Sequence, residues 1–230
     1  MYNAVEMKEQ GQHHLPLFCV KKMKKFTIIF LSLILILASF TACGGSGAQS
    51  ETSGSEAETQ DPGTQTDEEL PLRHVEMSIK DYGTVVIELD PNEAPLTVEN
   101  FISLASEGFY DGLKFHRIMD GFMIQGGADP TADLQPIPGE FSSNGYDNNI
   151  SHTEGVISMA RTNDPNSATS QFFITVADDT FLDGNYAAFG RVTEGLDICK
   201  KVAQDAEPTD DNGTIPEDEQ PVIEYIKVLD

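Results

Sequence analysis

The sequence predicts a mainly β domain, a closed or nearly closed barrel or sandwich, over residues 71–230 of the 230-residue chain. Three observations carry the prediction. Short runs of strand composition recur along this stretch. Turn residues punctuate them, and only two segments change to a helical period. The length of the stretch suffices for one substantial core, and no internal repeat breaks it up.

The elements follow in order. "HVEMSI" (74–79) and "GTVVIEL" (83–89) alternate in part, and Asp81-Tyr82-Gly83 between them supplies turn chemistry. In "APLTVENFISLASEG" (94–108), Val98, Phe101, Ile102 and Ala105 recur at helical spacing. Pro95 suits its first turn and Gly108 its stop. Short strands follow in "LKFHRI", "FMIQG", "GVISMA", "SQFFITV" and "YAAFGRV". "EGLDICKKVAQ" (194–204) reads as the second helix, and an acidic loop leads to a last strand, "VIEYIKVL".

Ahead of this domain the chain reads as an address and a tether. After Met23, Lys24 and Lys25 form a basic start, and Phe26 to Phe40 form an apolar run too short for a membrane span. The run ends in "FTAC", small residues before Cys43, and is similar to a bacterial lipoprotein signal. That similarity implies a lipidated Cys43 and a protein anchored to the membrane outside the cytoplasm. Residues 1–22 carry Glu6, Glu9 and Pro16 and do not fit a signal, so Met23 is the expected true start and 1–42 are expected to be absent from the mature protein. Residues 43–70 are rich in Gly, Ser, Thr and acids and read as a disordered tether.

The net charge of −24 argues against nucleic-acid binding, which wants clustered Lys and Arg. Cys19, Cys43 and Cys199 form no CxxC pair, and Cys199 reads as a small apolar helix residue. The loop containing Asp210, Asn212 and Gly213 misses the spacing of a calcium loop and reads as a solvated turn. No nucleophile elbow, zinc motif or phosphate loop appears. His116 has no nucleophile near it and reads as structural.

What remains is an apolar set with a few polar donors. "FHRIMDGFMIQGG" (115–127) places Arg117 and Gln125 inside a run that otherwise looks like core, broken by an Asp120-Gly121 turn. "SMA" (158–160) offers a strand edge. "NSATSQFFI" (166–174) brings Gln171 and the pair Phe172-Phe173, which a strand points to opposite faces. "FLDGNYAAFG" (181–190) adds Phe181, Leu182 and Tyr186.

In order and spacing these blocks resemble the cyclophilin family of peptidyl-prolyl isomerases across residues 74–229. The resemblance implies a closed eight-stranded antiparallel β-barrel capped by two α-helices, with a surface groove as active site and no metal or cofactor. It implies catalysis of rotation about X–Pro bonds, with Arg117 as the catalytic group and Gln125 on the substrate backbone. Phe122, Met123, Phe173 and Leu182 match the proline-ring pocket. Ala160 matches the main-chain position that pairs with the peptide, and Gln171 lines the groove. Phe181 stands where many members have tryptophan, and Tyr186 where they have histidine. The expected partners are proline-containing segments of unfolded or exported proteins, met by a monomer. A proline-binding scaffold without turnover is the alternative.

Overall fold

The computed structural model of the protein describes residues 69–230. The expected extension, signal, Cys43 and nearly all of the tether lie outside the described residues. Eight strands and two helices follow in order: β1 (Arg73–Ile79), β2 (Gly83–Leu89), α1 (Pro95–Ser106), β3 (Phe115–Met119), β4 (Met123–Gly126), β5 (Val156–Met159), β6 (Phe172–Thr175), β7 (Ala188–Glu194), α2 (Leu196–Asp205) and β8 (Ile223–Val228). All eight strands join one antiparallel sheet in the order β3-β4-β6-β5-β7-β2-β1-β8.

Alternation decides which residues turn inward. Val75, Met77 and Ile79 of β1 and Val85, Ile87 and Leu89 of β2 are all essentially inaccessible. The helices close the curled sheet with their apolar stripes. Phe101 of α1 sits among Tyr110, Phe172 and Phe189, with ring centroids 5.1–5.5 Å away. Cys199, Val202 and Ala203 line the buried face of α2, and burial pushes the Cys199 thiol up to about 12. The role expected of that cysteine, a packed apolar residue, is the one it has.

The first turn of α1 is capped from a distance. Ala94 at the cap position has no side chain for the task, while Pro95 takes the first turn as its fixed φ favours. The buried Glu140 carboxylate accepts from the Leu96 and Thr97 N–H groups and the Thr97 hydroxyl, at 2.7–3.0 Å. An anion at this helix end satisfies otherwise orphaned donors and opposes the positive end of the dipole.

Two expectations need correcting. The ladder does not close: β3 and β8 are the edges of the sheet, and beside their ends the bridge Lys114–Val222 joins them, with Ile223 N–H donating to Leu113 O (2.7 Å) and Phe115 N–H to Pro221 O (2.9 Å). The acidic loop takes the place of the missing ladder. Ile118 N–H donates to Gly213 O (2.8 Å) and Ile215 N–H to His116 O (3.1 Å), so the loop covers the β3 edge. The fold is therefore a curled half-barrel. Nor is Ser158 on a strand edge, since β5 is paired on both sides, by β6 and β7.

Candidate active site

The site begins with a register. Across the β3–β4 hairpin, Arg117 pairs with Gln125, Ile118 with Ile124 and Met119 with Met123. Gly121, at φ +69°, permits the tight turn between the strands. On β4 and β6, Gln125 pairs with Phe173 and Ile124 with Ile174; on β5 and β6, Ser158 pairs with Phe173 and Ile157 with Ile174. Two rows therefore run across four strands. Ile118, Ile124, Ile174 and Ile157 form the inner row, in the main core. Arg117, Gln125, Phe173 and Ser158 form the other. A bulge at His116, between Phe115 and Arg117, lets Phe115 enter the core while Arg117 faces away from it.

Beside the second row lies a small apolar cluster separate from the core. It contains Phe122, Met123, Ala160, Phe173, Leu182 and Tyr186, with Met119 packed against it. The tandem phenylalanines thus divide as the strand period demands, Phe172 to the core and Phe173 to the cluster. Phe173 meets Tyr186 edge-on at 5.8 Å. Phe181 remains 41% exposed, its ring 5.7 Å from Phe122. Phe181 and Leu182 ride on a short 3-10 turn, Thr180–Leu182. The predicted groove residues are thereby brought together; the expected lipidation site, Cys43, lies outside the described residues.

Arg117 is 5% exposed and makes no ion pair among the described residues. Its Nε donates to Asn212 O at 2.7 Å and its Nη1 to Gln125 Oε1 at 3.2 Å. Gln125 is itself held, donating through Nε2 to Gln171 Oε1 at 3.2 Å. The guanidinium also meets two sulfurs, Met123 Sδ at 3.7 Å from Nη1 and Met119 Sδ at 3.4 Å from Nη2, and lies 5.9 Å over the Phe122 ring. Thioethers are weak acceptors, so a cation with five donors is fixed in place with hydrogen-bonding capacity unspent. Burial lowers its pKa from the ordinary guanidinium value, and Tyr186 and Asp210 act in the opposite direction. Burial, and then the Arg117 charge, also lower the pKa of His116, which stays outside the cluster as expected.

Three features escaped the sequence reading. Asn212, placed in a solvated turn, supplies the carbonyl that orients Arg117. Arg161, half-buried, lies 4.7 Å over the Tyr186 ring and 5.1 Å over Phe141; its place directly after Ala160 was the available signal. The Ala160 N–H is already taken by Gln171 O at 2.9 Å, so only the carbonyl side of that residue could serve a docked peptide. A hollow of about 260 Å3, lined in part by Pro130, Thr169 and Gln171, continues from Gln171. Larger hollows of about 450 and 500 Å3 lie against α1 and contain none of the predicted residues, so size alone does not mark the site. No group of three His, Cys, Asp or Glu side chains among the described residues could hold a metal ion.

Comparison with known proteins decides the family. Residues 74–228 match the family model described as cyclophilin type peptidyl-prolyl cis-trans isomerase/CLD. The chain belongs to the cyclophilin family. Peptidyl-prolyl cis-trans isomerase A of Dickeya dadantii is 42% identical over 127 residues, 53% of this chain and 67% of that protein. Peptidyl-prolyl cis-trans isomerase B of Escherichia coli is 40% identical over 129 residues, 53% of this chain and 79% of that protein. Among solved structures, a cyclophilin-type isomerase from Cryptosporidium parvum matches with a TM-score of 0.59 at 26% identity, covering 70% of this chain and 99% of that one.

The loop carbonyl that holds the cyclophilin arginine depends on Gly213. Its φ is +82°, and a β-carbon there would lie 2.5 Å from Ile118 O. Gly213→Ala is expected to lift the loop and free the Arg117 side chain. Exchange of the Arg117 Nε–H with water, followed by NMR, should accelerate by about tenfold or more, as expected when a hydrogen bond worth roughly 1.5 kcal/mol is lost. Unchanged exchange would show that the loop does not hold the arginine.

Proposed function

We propose that the protein is a membrane-tethered peptidyl-prolyl cis-trans isomerase that acts on proline-containing segments of exported proteins outside the cytoplasm. The observation that carries the catalytic part is the buried guanidinium, fixed by two oxygen acceptors and otherwise facing sulfur and the Phe122 ring, at the edge of an apolar cluster. Family membership and several isomerases at 40–46% identity support the same reaction.

An X–Pro bond resists rotation by about 18–20 kcal/mol, and its isomerisation takes tens to hundreds of seconds. No covalent bond breaks, so neither nucleophile nor proton transfer is needed. In this reading the pyrrolidine ring rests against Phe122, Met123, Phe173, Leu182 and Tyr186, while Phe181 covers one side. The Gln125 amide and the Ala160 main chain grip the backbone, and Gln171 flanks it. As the amide twists, its nitrogen loses resonance and gains a lone pair. Arg117 can donate to that lone pair, a contact that strengthens only as the bond twists and so lowers the barrier. Backbone grip with a proline-sized pocket accommodates many flanking residues.

The test is protease-coupled or NMR exchange kinetics on a short X–Pro peptide. The full chain should accelerate isomerisation, and Arg117→Ala should lose about two to three orders of magnitude in kcat/KM, as for removal of a preorganised transition-state donor. Equal rates for the two proteins would remove the catalytic assignment. Tight peptide binding with no acceleration by either would make the protein a binding scaffold.

The location is argued from the basic start, the apolar run and "FTAC" ahead of Cys43. Expressed in a bacterium that processes lipoproteins, the protein is expected in the membrane fraction with a lipid on Cys43 by mass spectrometry. Cys43→Ser should carry no lipid, and a wild-type protein without lipid would refute the anchor.

A further inference from the structure

Beyond the groove, one buried titratable residue has no part in the reaction as derived above. His152 is 1% exposed. Its ring stacks on Phe173, with centroids 6.0 Å apart and planes 15° apart. Nε2 lies 3.0 Å from Ser158 Oγ and Nδ1 lies 2.8 Å from Asp183 Oδ1. Ser158 is the cross-strand neighbour of Phe173 and ends the row that begins at Arg117.

The same residue also straps down the turn that carries Phe181 and Leu182. Asp179 N–H donates to His152 O at 2.7 Å at the start of that turn. At its end, the Asp183 carboxylate accepts from His152 N–H at 2.7 Å as well as from the ring. Asp183 is further fixed by the Ser151 hydroxyl at 2.6 Å. One histidine therefore supports Phe173 from behind and holds the segment bearing Leu182, two sides of the apolar cluster.

We infer that His152 is a positioning residue for the isomerase, and that its neutral form holds the proline pocket in shape while protonation loosens it. The inference rests on the isomerase reading and adds a regulator to it. The neutral form is dictated by its partners. A carboxylate can only accept, so Nδ1 carries the proton, which leaves Nε2 to accept from the Ser158 hydroxyl. A second proton on Nε2 removes that acceptor and forces the fully buried Ser158 hydroxyl to turn its hydrogen elsewhere. The charged groups on the turn packed against His152 are Asp183 and Asp179; β5 presents Ser158 and β6 presents Phe173, neither of them charged. Burial lowers the His152 pKa, and the Asp183 hydrogen bond and charge oppose it. The shift keeps the ring neutral at physiological pH. Its contribution to stability is complete above the unfolded-state value of about 6.5 and is lost as the pH falls through the folded value.

The chemistry makes the test clean. Bond rotation transfers no proton, and arginine stays charged throughout, so an acid limb in the rate must come from a positioning group. The measurement is kcat/KM for an X–Pro peptide by NMR exchange from about pH 4.5 to about pH 8, with His152 ring signals followed in the same samples. The wild type should lose activity with one proton, at the midpoint of the His152 titration. His152→Gln, checked by circular dichroism, should be weaker by on the order of tenfold, since small displacements of binding groups are costly, and flat over the same range. His116→Gln should keep the wild-type limb, which separates the two histidines near the site. A wild-type rate that is flat through the His152 titration overturns the inference, even if His152→Gln does not fold. An unchanged limb in His152→Gln overturns it equally. A wild type inactive at every pH would instead refute the isomerase reading on which it rests.

Discussion

A buried guanidinium sets the terms for this molecule. A cation removed from water is costly unless hydrogen-bonded, and Arg117 meets no carboxylate at ion-pair distance among the described residues. Two neutral oxygens hold it instead, the Asn212 carbonyl and the Gln125 amide. Each imposes a demand on the fold. Gln125 must stand opposite Arg117 in the hairpin register, and a one-residue slip would bury it in the core. Asn212 must be carried to the β3 edge by a loop, and that loop occupies the edge where a closed barrel would place a ladder. The open seam and the positioned arginine are therefore one arrangement.

The same sheet serves stability on one side and binding on the other. The isoleucine row belongs to the core that α1 and α2 complete. The row of Arg117, Gln125, Phe173 and Ser158 is spaced by the same pleat but faces a second, smaller cluster. Neutral acceptors leave the arginine its full charge, whereas a carboxylate partner would neutralise it and compete with any substrate. Asp210 of the Asn212 loop acts on the arginine's charge but forms no ion pair with it.

Much of this was legible in the sequence because it is local. Strand composition and turn residues located every strand to within about three residues, and period two split Phe172 from Phe173 as the structure does. The Asp120-Gly121 turn announced the hairpin, and Pro95 announced the start of α1. The nine groove residues besides Arg117 were named through the resemblance to the cyclophilin family, and the fold brings them to one place. What escaped was long-range or anonymous. Any residue offers a carbonyl, so nothing about Asn212 marks its part in holding a side chain 95 positions away. Glu140 caps a helix 43–44 residues upstream. The bulge at His116 and the double pairing of β5 depend on partners that composition does not name. His152, Ser158 and Asp183 look unrelated until the sheet brings them together.

The central claim is that a fixed guanidinium, and not merely a positive charge, drives bond rotation. Arg117→Lys tests it most directly, because lysine keeps the charge but cannot reach Asn212 O, Gln125 Oε1 and a substrate at once with a planar fork. Peptide affinity by NMR titration and kcat on the same X–Pro peptide should separate. Affinity is predicted to change by no more than about threefold, while kcat falls by about two orders of magnitude, as for loss of a contact made only in the transition state. A lysine variant with wild-type kcat would contradict the account.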